Sequence, residues 1–495
     1  MAENRPLRIA LVSAEVAPFA KTGGLADVVA ALARTLWRQG HDVRVFLPLY
    51  GRLRSVPEVE FDSRETSEVD VEFGGKSYRL TARTAPLPNS EREDGTPLDI
   101  ELLDCPALFH REDYYTSDAD EPVRWAAFTR GVLGTFQQSA WAPDVVHCND
   151  WHTGLLPLYL RTTYAWDQLF ADTRTLLSIH NLGYTGTFGA GVIDQLGLEE
   201  VRGLFHQEHL EEDQVSFLET GLLHASWLST VSETYAREIQ TPEHGMGLDE
   251  LLKARDDHLV GIVNGIDPEE WSPEADALIP ANFSASDLSG KKTCRDALLE
   301  ALEVEPAGDD VIVAGIVSRM TGQKGFELLP DVLSVLLQRE DMRLVVLGSG
   351  EERHERYFRW LRERMPHKVG VHLGYSEELA HGIEAGSDLF LMPSRYEPCG
   401  LNQMYSLAYG CVPLVRHTGG LADTVERWDP EARTGTGFVF YDFTPDALLH
   451  TFEHALEVWR DREAWATLVR NGMAQDFSWE SQAAKYVDLY RRLGS

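Results

Sequence analysis

Residues 388–409 read DLFLMPSRYEPCGLNQMYSLAY, and this stretch decides the fold. Residues 388–393 form a short apolar run, which is typical of a strand that is buried on both faces. Residues 401–409 have the apolar spacing of a helix. The loop between them carries the sequence EPCG, from Glu397 to Gly400. The order of strand, loop and helix predicts part of an open, parallel α/β sheet.

Glu397, Cys399 and Gly400 are therefore expected beyond the carboxyl end of a strand, where open parallel sheets bind their ligands. The first turn of the following helix offers unpaired N–H groups and a partial positive charge, which suit a phosphate. A carboxylate would repel that phosphate, so Glu397 suits a neutral, hydroxyl-rich group beside it, such as a sugar. An ordinary loop that caps a helix is the alternative that this stretch leaves open.

The chain of 495 residues is too long for a single core, so two domains are expected and three are possible. Its formal net charge of −34, from 79 acidic and 45 basic residues, argues against nucleic acid and anionic membranes as partners. Glu15 interrupts the apolar run of residues 7–20, which we interpret as a first strand rather than a signal peptide. No apolar run approaches the ~18 residues that a membrane helix needs.

The five cysteines, an odd number, show neither a CxxC motif nor the spacing of zinc ligands. This usage predicts a reducing compartment, and together with the acidic composition it predicts a cytoplasmic protein. Composition gives no oligomeric state.

Strands of the buried type alternate with helices along the first half of the chain. Strands are predicted over residues 8–13, 43–47, 144–147, 175–179, 228–231 and 258–263. The alternation is interrupted over residues 55–105. There, residues 69–73 and 98–102 alternate with period two, and we predict antiparallel strands inserted at one edge with mobile links.

A second parallel sheet is predicted after an irregular stretch with Pro268, Pro273 and Pro280, which we interpret as the link between domains. Its strands are predicted over residues 311–317, 344–347, 369–373, 388–392 and 412–415. The predicted domains are residues 1–264 and 265–478, followed by an amphipathic C-terminal helix within residues 479–495.

One six-residue sequence occurs twice. TGGLAD stands at residues 22–27 and again at residues 418–423, each time after a predicted strand and at the start of a helix. Glycines let a backbone approach a ligand closely, so the repeat indicates one backbone device shared by the two halves. The first copy is not a GxGxxG motif, so a dinucleotide is not implied.

Arg319 and Lys324 flank a turn at the end of a predicted strand. In a chain with only eight lysines, this spacing favours the binding of a diphosphate. The planar guanidinium of Arg319 could donate two parallel hydrogen bonds, and the ammonium of Lys324 could act as a point charge. A solvated basic loop is the alternative.

His147, Asp150 and His152 could suggest a metal, but their spacing does not place all three on one helix face, and no metal site is predicted. Asp150 and His180 each follow a predicted strand, on the edge of the sheet where ligands bind. Each could instead cap a loop. The sequence contains no GxSxG or HExxH motif.

Five stretches resemble bacterial glycogen synthases and plant starch synthases, in the same order along the chain. They are KTGGLAD at 21–27, HNLGYTG at 180–186, SRMTGQKG at 318–325, EPCGL at 397–401 and TGGLAD at 418–423. The resemblance extends from about residue 7 to residue 492, and its most specific parts are KTGGLADV and EPCGL.

The resemblance implies two Rossmann-like domains that face a deep cleft, the GT-B type of glycosyltransferase. It implies a retaining enzyme of glycogen biosynthesis, which transfers glucose from ADP-glucose to the non-reducing end of an α-1,4-glucan. No cofactor and no metal are expected. The first domain is expected to form the acceptor side and carry a catalytic histidine, the second to bind the nucleotide sugar, and the last helix to cross back to the first domain.

By the same resemblance, Asp150 and His180 line the glucose site, Arg319 and Lys324 hold the diphosphate, and Glu397 holds glucose hydroxyls. These five residues are the expected catalytic set. The expected substrate-binding set, with Tyr375 on the adenine side, is Lys21, Gly23, Gly24, Asn181, Asn264, Tyr375, Cys399, Gly400 and Leu401.

Two positions depart from the family pattern. The family has Thr after EPCGL, and this chain has Asn402, so the phosphate contact of that hydroxyl is not carried over. The wider superfamily often has a second Glu eight positions after the first, where this chain has Tyr405, so no ribose contact is carried over.

Other interpretations remain open at this point. A related transferase could use UDP-glucose or another acceptor with the same architecture. A phosphorylase would bind pyridoxal phosphate through a lysine, and no lysine has a matching context. A non-catalytic sugar-nucleotide binder would not need Lys21, His180, Arg319, Lys324 and Glu397 together. Retention could proceed through a covalent carboxylate intermediate or by same-face attack assisted by the leaving phosphate, which the family favours.

Overall fold

A computed structural model describes residues 5–55 and 65–494. The chain divides into two compact units. The first comprises the described residues of Met1–Val231, Ala236–Gly265 and Trp479–Ser495, and the second comprises Ser232–Tyr235 and Ile266–Ser478. Part of the mobile link predicted within residues 55–105 falls on residues 56–64 and lies outside the described residues.

The first unit is built on strands whose residues are largely buried. They are β1 (Arg8–Val12), β2 (Asp42–Pro48), β3 (Glu65–Phe73), β4 (Lys76–Pro86), β5 (Asp99–Asp104), β6 (Val145–Asn149), β7 (Arg174–Ile179), β8 (Thr187–Gly189), β9 (Gln214–Ser216), β10 (Trp227–Thr230) and β11 (Leu259–Gly261). Nine of them form one sheet in the order β11-β10-β7-β6-β1-β2-β5-β4-β3, and β8 pairs with β9 separately. Every residue of β6 is buried, as expected for a central strand covered on both faces.

Helices connect many of these strands along the chain. Over residues 24–254 they are α1 (Gly24–Arg38), α2 (Pro106–Phe109), α3 (Glu121–Gln138), α4 (Leu156–Arg161), α5 (Val192–Gln195), α6 (Gln207–Glu211), α7 (Phe217–His224), α8 (Glu233–Glu238) and α9 (Asp249–Ala254). In α1, Val28, Val29, Leu32 and Leu36 are buried, at the spacing of one helix face.

The predicted insertion is only partly antiparallel. Strand β4, which the sequence analysis missed, pairs antiparallel with β3 at the edge. The strand predicted over residues 98–102 is β5, and it pairs antiparallel with β4 but parallel with β2. The prediction of an antiparallel edge strand was therefore wrong for the pairing of β5 with β2. A period-two pattern shows that one face of a strand is covered, and it carries no information on the direction of the neighbouring strands.

The second unit contains a fully parallel sheet. Its strands are β12 (Ile312–Val317), β13 (Met342–Gly348), β14 (Val369–Leu373), β15 (Leu389–Met392), β16 (Val412–Arg416) and β17 (Phe438–Phe440). Its helices are α10 (Ser289–Ala301), α11 (Leu329–Arg339), α12 (Glu352–Arg364), α13 (Glu377–Gly386), α14 (Asn402–Ala408), α15 (Gly419–Thr424), α16 (Pro445–Arg460) and α17 (Arg462–Met473). The order β14-β13-β12-β15-β16-β17 is the doubly wound order of Rossmann sheets.

Among the parallel strands, the strand order reverses at one place in each sheet. In the second unit β12 pairs with β13 on one side and with β15 on the other. In the first unit β1 pairs with β2 on one side and with β6 on the other. The crevice beyond the carboxyl ends of strands at such a reversal is where doubly wound sheets bind ligands. Topology alone thus directs attention to the loops after β1 and β6, and after β12 and β15.

The last helix, α18 (Trp479–Leu493), belongs to the first unit. It packs against α1, and the Tyr490 hydroxyl hydrogen-bonds Nδ1 of His147 at 2.8 Å. Nε2 of His147 lies 2.6 Å from the Ser178 hydroxyl. Burial lowers the pKa of His147 to about 3, so this imidazole is neutral and links the helix to the sheet.

No helix among the described residues combines the length and the apolar content that crossing a bilayer requires. The five cysteines are all buried and carry free thiols.

Candidate active site

An ion pair occupies the strand reversal of the second unit. Lys324 follows β12 and Glu397 follows β15, and their Nζ and Oε2 atoms are 2.6 Å apart. The Ser394 hydroxyl also donates to Oε2, at 3.0 Å. The Glu397 side chain is only 6% exposed, yet Oε1 accepts no hydrogen bond from any described residue. The carboxylate is therefore held by one oxygen, and the other remains available to a ligand hydroxyl.

Lys324 was expected to bind a diphosphate and Glu397 to bind sugar hydroxyls, as separate contacts. The structure brings the two side chains together. An ammonium group has three donors, and the bond to Glu397 uses one of them. Lys324 can thus neutralise the carboxylate and still donate to a phosphate oxygen.

The EPCG loop is shaped by the second TGGLAD copy. The amide of Gly420 donates to the carbonyls of Glu397 and Pro398, at 3.1 and 3.2 Å. A Cβ atom at Gly419 would lie 1.9 Å from the carbonyl oxygen of Glu397, and one at Gly420 would lie 2.1 Å from that of Cys399. These glycines are therefore needed for contact between two loops of the protein itself.

The first copy differs, because a Cβ atom at Gly23 would meet nothing within 4 Å. The interpretation that both copies are one shared backbone device was therefore wrong. In the first copy the open space permits a ligand to approach, whereas in the second the space is filled by the EPCG loop. The backbone also differs, since φ is −162° at Gly23 and +44° at Gly419, so the identical sequence implies neither the same conformation nor the same contact.

Two backbone amides lie in the turn after β15. The N–H groups of Gly400 and Leu401 donate to no described residue, and Gly400 has a left-handed φ of +76°. The side chain of Gln403 fixes this turn from behind by donating to the Cys399 and Gly400 carbonyls, at 3.1 and 3.0 Å. Asn402 donates to the carbonyl of Val317 at 2.7 Å, so its amide ties the loop to β12.

Arg319 and Tyr375 stand at the same edge of this sheet, after β12 and β14. The Arg319 guanidinium is exposed and pairs with no carboxylate among the described residues. The Tyr375 ring is 75% exposed, and its hydroxyl donates to Glu377. An unpaired cation and an exposed aromatic face are the features that an anionic, aromatic ligand would use.

In the first unit Asp150 and His180 follow the neighbouring strands β6 and β7. The carboxylate of Asp150 accepts the backbone N–H of His180 at 2.7 Å. Asp150 itself has a φ of +56° and a ψ of −175°, a combination that costs about 1–3 kcal/mol for a residue with a side chain. Burial raises the pKa of Asp150 to about 7, although the amides of His180 and Asn181 lower it.

Neighbouring groups fix the tautomer of His180. The Asn149 amide nitrogen donates to the carbonyls of Val12 and His147, so its oxygen faces Nε2 of His180, at 2.9 Å. Nε2 therefore carries the proton, and Nδ1 presents a lone pair. Burial lowers the pKa of His180 to about 4, which keeps the ring neutral at pH 7. A neutral imidazole with a fixed acceptor suits a hydroxyl donor.

The loop with Lys21, Gly23 and Gly24 follows β1 and leads into α1. It is held by Glu15, a buried carboxylate that accepts both the amide and the hydroxyl of Thr22 at 2.6 Å, and the amide of Gly23 at 3.3 Å. The hydroxyl of Tyr115 also donates to Glu15, at 2.5 Å. Burial raises the pKa of Tyr115, so this hydroxyl stays protonated.

Two predicted substrate contacts in the first unit have different surroundings. Asn264 follows β11 and is buried, and its Oδ1 has no hydrogen-bond partner among the described residues. Such an atom is costly unless a ligand or water reaches it. The oxygen of Asn181 instead accepts the amide of Gly183 at 2.9 Å, so it stabilises its own loop.

Sequence reasoning did not identify Glu15, Tyr115, Asn149 or Gln403 as parts of the site. A buried acid shortly after the first strand was the available signal for Glu15, and it was used only to argue against a signal peptide. In the part of the chain that the structure describes, one cluster of metal-ligating side chains is present, at His206, His209 and Glu219. It shares no residue with the set above.

Two family models and a series of relatives match this chain. A family model described as the starch synthase catalytic domain matches residues 8–254, and one described as glycosyl transferases group 1 matches residues 300–471. The glycogen synthase of Syntrophotalea carbinolica is 43% identical over 98% of this chain and 99% of its own. That of an Anaeromyxobacter species is 44% identical over 99% of this chain and 100% of its own.

A solved structure of a starch synthase also matches nearly the whole chain. The catalytic domain of starch synthase IV from Arabidopsis thaliana, bound to ADP and acarbose, matches with a TM-score of 0.89 and 32% identity, covering 99% of this chain and 100% of that one. The predicted fold class, with two Rossmann-like domains of the GT-B type, is confirmed. The chain therefore belongs to the glycogen synthase and starch synthase family of glycosyltransferases.

Proposed function

We propose that this protein transfers glucose from ADP-glucose to the non-reducing end of an α-1,4-glucan, with retention of configuration, in glycogen biosynthesis. The observation that carries the proposal is the Lys324–Glu397 pair at the strand reversal of the second unit. Lys324 offers a cation to a phosphate there, and the adjacent Glu397 offers one carboxylate oxygen to a hydroxyl. A sugar bonded to a phosphate presents a phosphate and hydroxyl groups next to each other, so it could contact both side chains.

The reaction breaks the bond between glucose C1 and the phosphate oxygen, and forms a bond from C1 to O4 of the acceptor. Positive charge develops on the sugar carbon and negative charge on the leaving diphosphate. Groups already oriented toward the developing negative charge supply the largest share of catalysis in many enzymes. We assign this role to Arg319 and Lys324, and the amides of Gly400 and Leu401 add donors that no described residue uses.

Glu397 holds glucose hydroxyls through its free oxygen, as the family resemblance implies. The exposed ring of Tyr375 is assigned to the adenine. The second unit is therefore the nucleotide-sugar-binding domain. The starch synthase IV structure contains ADP, which supports an adenine nucleotide as the product of this half of the reaction.

The first unit contributes the groups that act on the glucose being transferred and on the acceptor. His180 is neutral with an accepting Nδ1, so it binds a hydroxyl without adding positive charge near C1. The Asp150 carboxylate lies beside it and stabilises positive charge when it is ionised. Lys21, Gly23 and Gly24 contact the donor in the space that Gly23 leaves open. Asn264 supplies an acceptor that no described residue uses.

The proposal needs neither a cofactor nor a metal in the reaction, because two cationic side chains are available to the diphosphate. The test offers the purified protein radiolabelled ADP-glucose or UDP-glucose with glycogen and counts label in the polymer. We expect incorporation with ADP-glucose to exceed that with UDP-glucose. Preference for UDP-glucose would favour the related transferase, and absence of label with both would overturn the proposal.

A further inference from the structure

A cluster of two histidines and one glutamate lies outside every group assigned above. His206 directly precedes α6, His209 lies within it, and Glu219 lies in the first turn of α7. The short ribbon of β8 and β9 flanks this segment, because β9 runs between α6 and α7. The cluster thus joins the start of α7 to a segment with little regular structure.

The distances are those of a small coordination site. Nδ1 of His209 is 2.9 Å from Oε2 of Glu219, and Nδ1 of His206 is 3.8 Å from Oε1. One ligand atom from each of the three residues lies within 4.8 Å of the others. Ligands bonded at 2.0–2.1 Å to a tetrahedral zinc ion are separated by about 3.3 Å. Each of the two contacts to Glu219, which are made by different carboxylate oxygens, is within about 0.5 Å of that separation.

Burial and unmet polar groups point to a ligand here. The Glu219 side chain is 4% exposed, and among the described residues its only ion-pair partners are the two histidines. No Lys or Arg of that part of the chain neutralises it. Nδ1 of His206 is buried and has no hydrogen-bond partner there. Buried carboxylates are ordinarily paired or bound to a metal, and an unpartnered ring nitrogen beside one is a ready ligand.

We propose that His206, His209 and Glu219 bind a divalent transition-metal ion such as Zn²⁺. Two imidazoles and one carboxylate are a known zinc ligand set, whereas Mg²⁺ and Ca²⁺ prefer sites built from oxygen alone. Three protein ligands leave one position for water.

The ion stabilises the fold and takes no part in glucosyl transfer. It ties α6 to α7, and the start of α7 is also bonded to the loop after His180. The amide of Leu218 and the hydroxyl of Ser216 both donate to the carbonyl of Thr185, at 3.1 and 2.9 Å. Anything that binds only the folded state raises its stability in proportion to the logarithm of ligand concentration. A metal here should therefore raise the thermal midpoint.

The test titrates the full-length, chelator-treated protein with Co²⁺, whose ligand-field absorption reports four-coordinate binding. We expect one equivalent to bind, to be displaced by Zn²⁺, and to raise the thermal midpoint, with no effect of Mg²⁺. Glu219→Gln and His209→Asn should each weaken binding by at least about tenfold. His454→Asn is the matched control, because His454 and Glu457 form an exposed pair at 3.6 Å; it should bind as the wild type does.

Absence of the absorption band in the wild type would overturn the proposal, as would a band that persists in both variants. Circular dichroism checks that the variants fold. If the buried position of Glu219 does not tolerate glutamine, His206→Asn decides the matter, because this side chain is 32% exposed. Loss of the band in that variant supports the site, and an unchanged band contradicts it. The readout is metal binding, so it is independent of the proposed transferase activity.

Discussion

Replacing Lys324 with alanine tests the ion pair at the centre of the second unit's site. The change removes the ammonium group 2.6 Å from Glu397 and leaves a carboxylate that is 6% exposed. Stability and turnover should both fall, for separate reasons. The two effects can be measured independently.

The stability effect follows from the burial of the pair. Removing one partner of a fully buried pair costs about 3–5 kcal/mol. The Lys324 side chain is 20% exposed and the Ser394 hydroxyl still donates to Glu397. Water and that hydroxyl offset part of the loss, so we expect the free energy of unfolding of the second unit to fall by about 2–3 kcal/mol.

The effect on turnover follows from the charge of the leaving diphosphate. Removing one preorganised donor to a developing negative charge costs about 3–4 kcal/mol. This corresponds to a fall of roughly 10²–10³ in kcat. Initial rates of label transfer from ADP-glucose to glycogen measure the fall in kcat. Urea unfolding, fitted with separate transitions for the two units, measures the fall in the free energy of unfolding of the second unit.

Two further variants separate the effects. Arg319→Ala removes a guanidinium that pairs with no described carboxylate, so turnover should fall while stability stays within about 0.5 kcal/mol of the wild type. The double variant Lys324→Ala, Glu397→Gln removes the unpaired charge, so it should recover stability and not activity. Near-normal turnover in Lys324→Ala would remove Lys324 from the mechanism. Unchanged stability in that variant would refute the reasoning from the buried pair.

Three other predictions concern the first unit and the absence of a catalytic metal. Exhaustive chelation should leave transferase activity intact below the melting temperature; complete loss with EDTA that Mg²⁺ restores would contradict this. Glu15→Gln should raise the KM for ADP-glucose about tenfold or more, because the NH₂ group that replaces one carboxylate oxygen cannot accept a hydrogen bond from Thr22. Tyr115→Phe removes only one donor to Glu15, so it should raise the KM by a smaller factor. Equal increases in the two variants would contradict a role of the Thr22 loop in donor binding. Because burial raises the pKa of Asp150 from 3.8 to about 7, its contribution to stability is present below pH 4 and is lost as pH rises through 7. Between pH 5 and pH 8, the stability of Asp150→Asn relative to the wild type should therefore rise by at most about 3 kcal/mol, because each pH unit between 5 and the pKa of about 7 contributes about 1.36 kcal/mol; a constant difference across that range would refute the raised pKa.

The sequence alone could predict at which edge of each sheet the candidate site residues lie. Asp150 and His180, and likewise Lys324 and Glu397, follow short apolar strands, and parallel strands bring their carboxyl ends to one edge. Local patterns suffice for that inference because a buried strand is recognisable from its own residues.

Contacts between distant loops could not be predicted in the same way. Glu15 meets Tyr115 across 100 positions of sequence, and nothing near Tyr115 marks it as a partner. The second glycine pair, Gly419 and Gly420, has the same flanking residues as the first, yet packs against the loop of Glu397. Direction of pairing in β5 was missed for the same reason, since it depends on the neighbouring strands.

The stereochemistry of the first product tests the central claim most directly. A short maltooligosaccharide is incubated with ADP-glucose, and the new linkage is followed by ¹H NMR from the earliest time points. We predict one new α-1,4-linked glucose at the non-reducing end, formed together with one ADP. A β-linked product, a linkage to the reducing end, or release of free glucose without transfer would contradict the account.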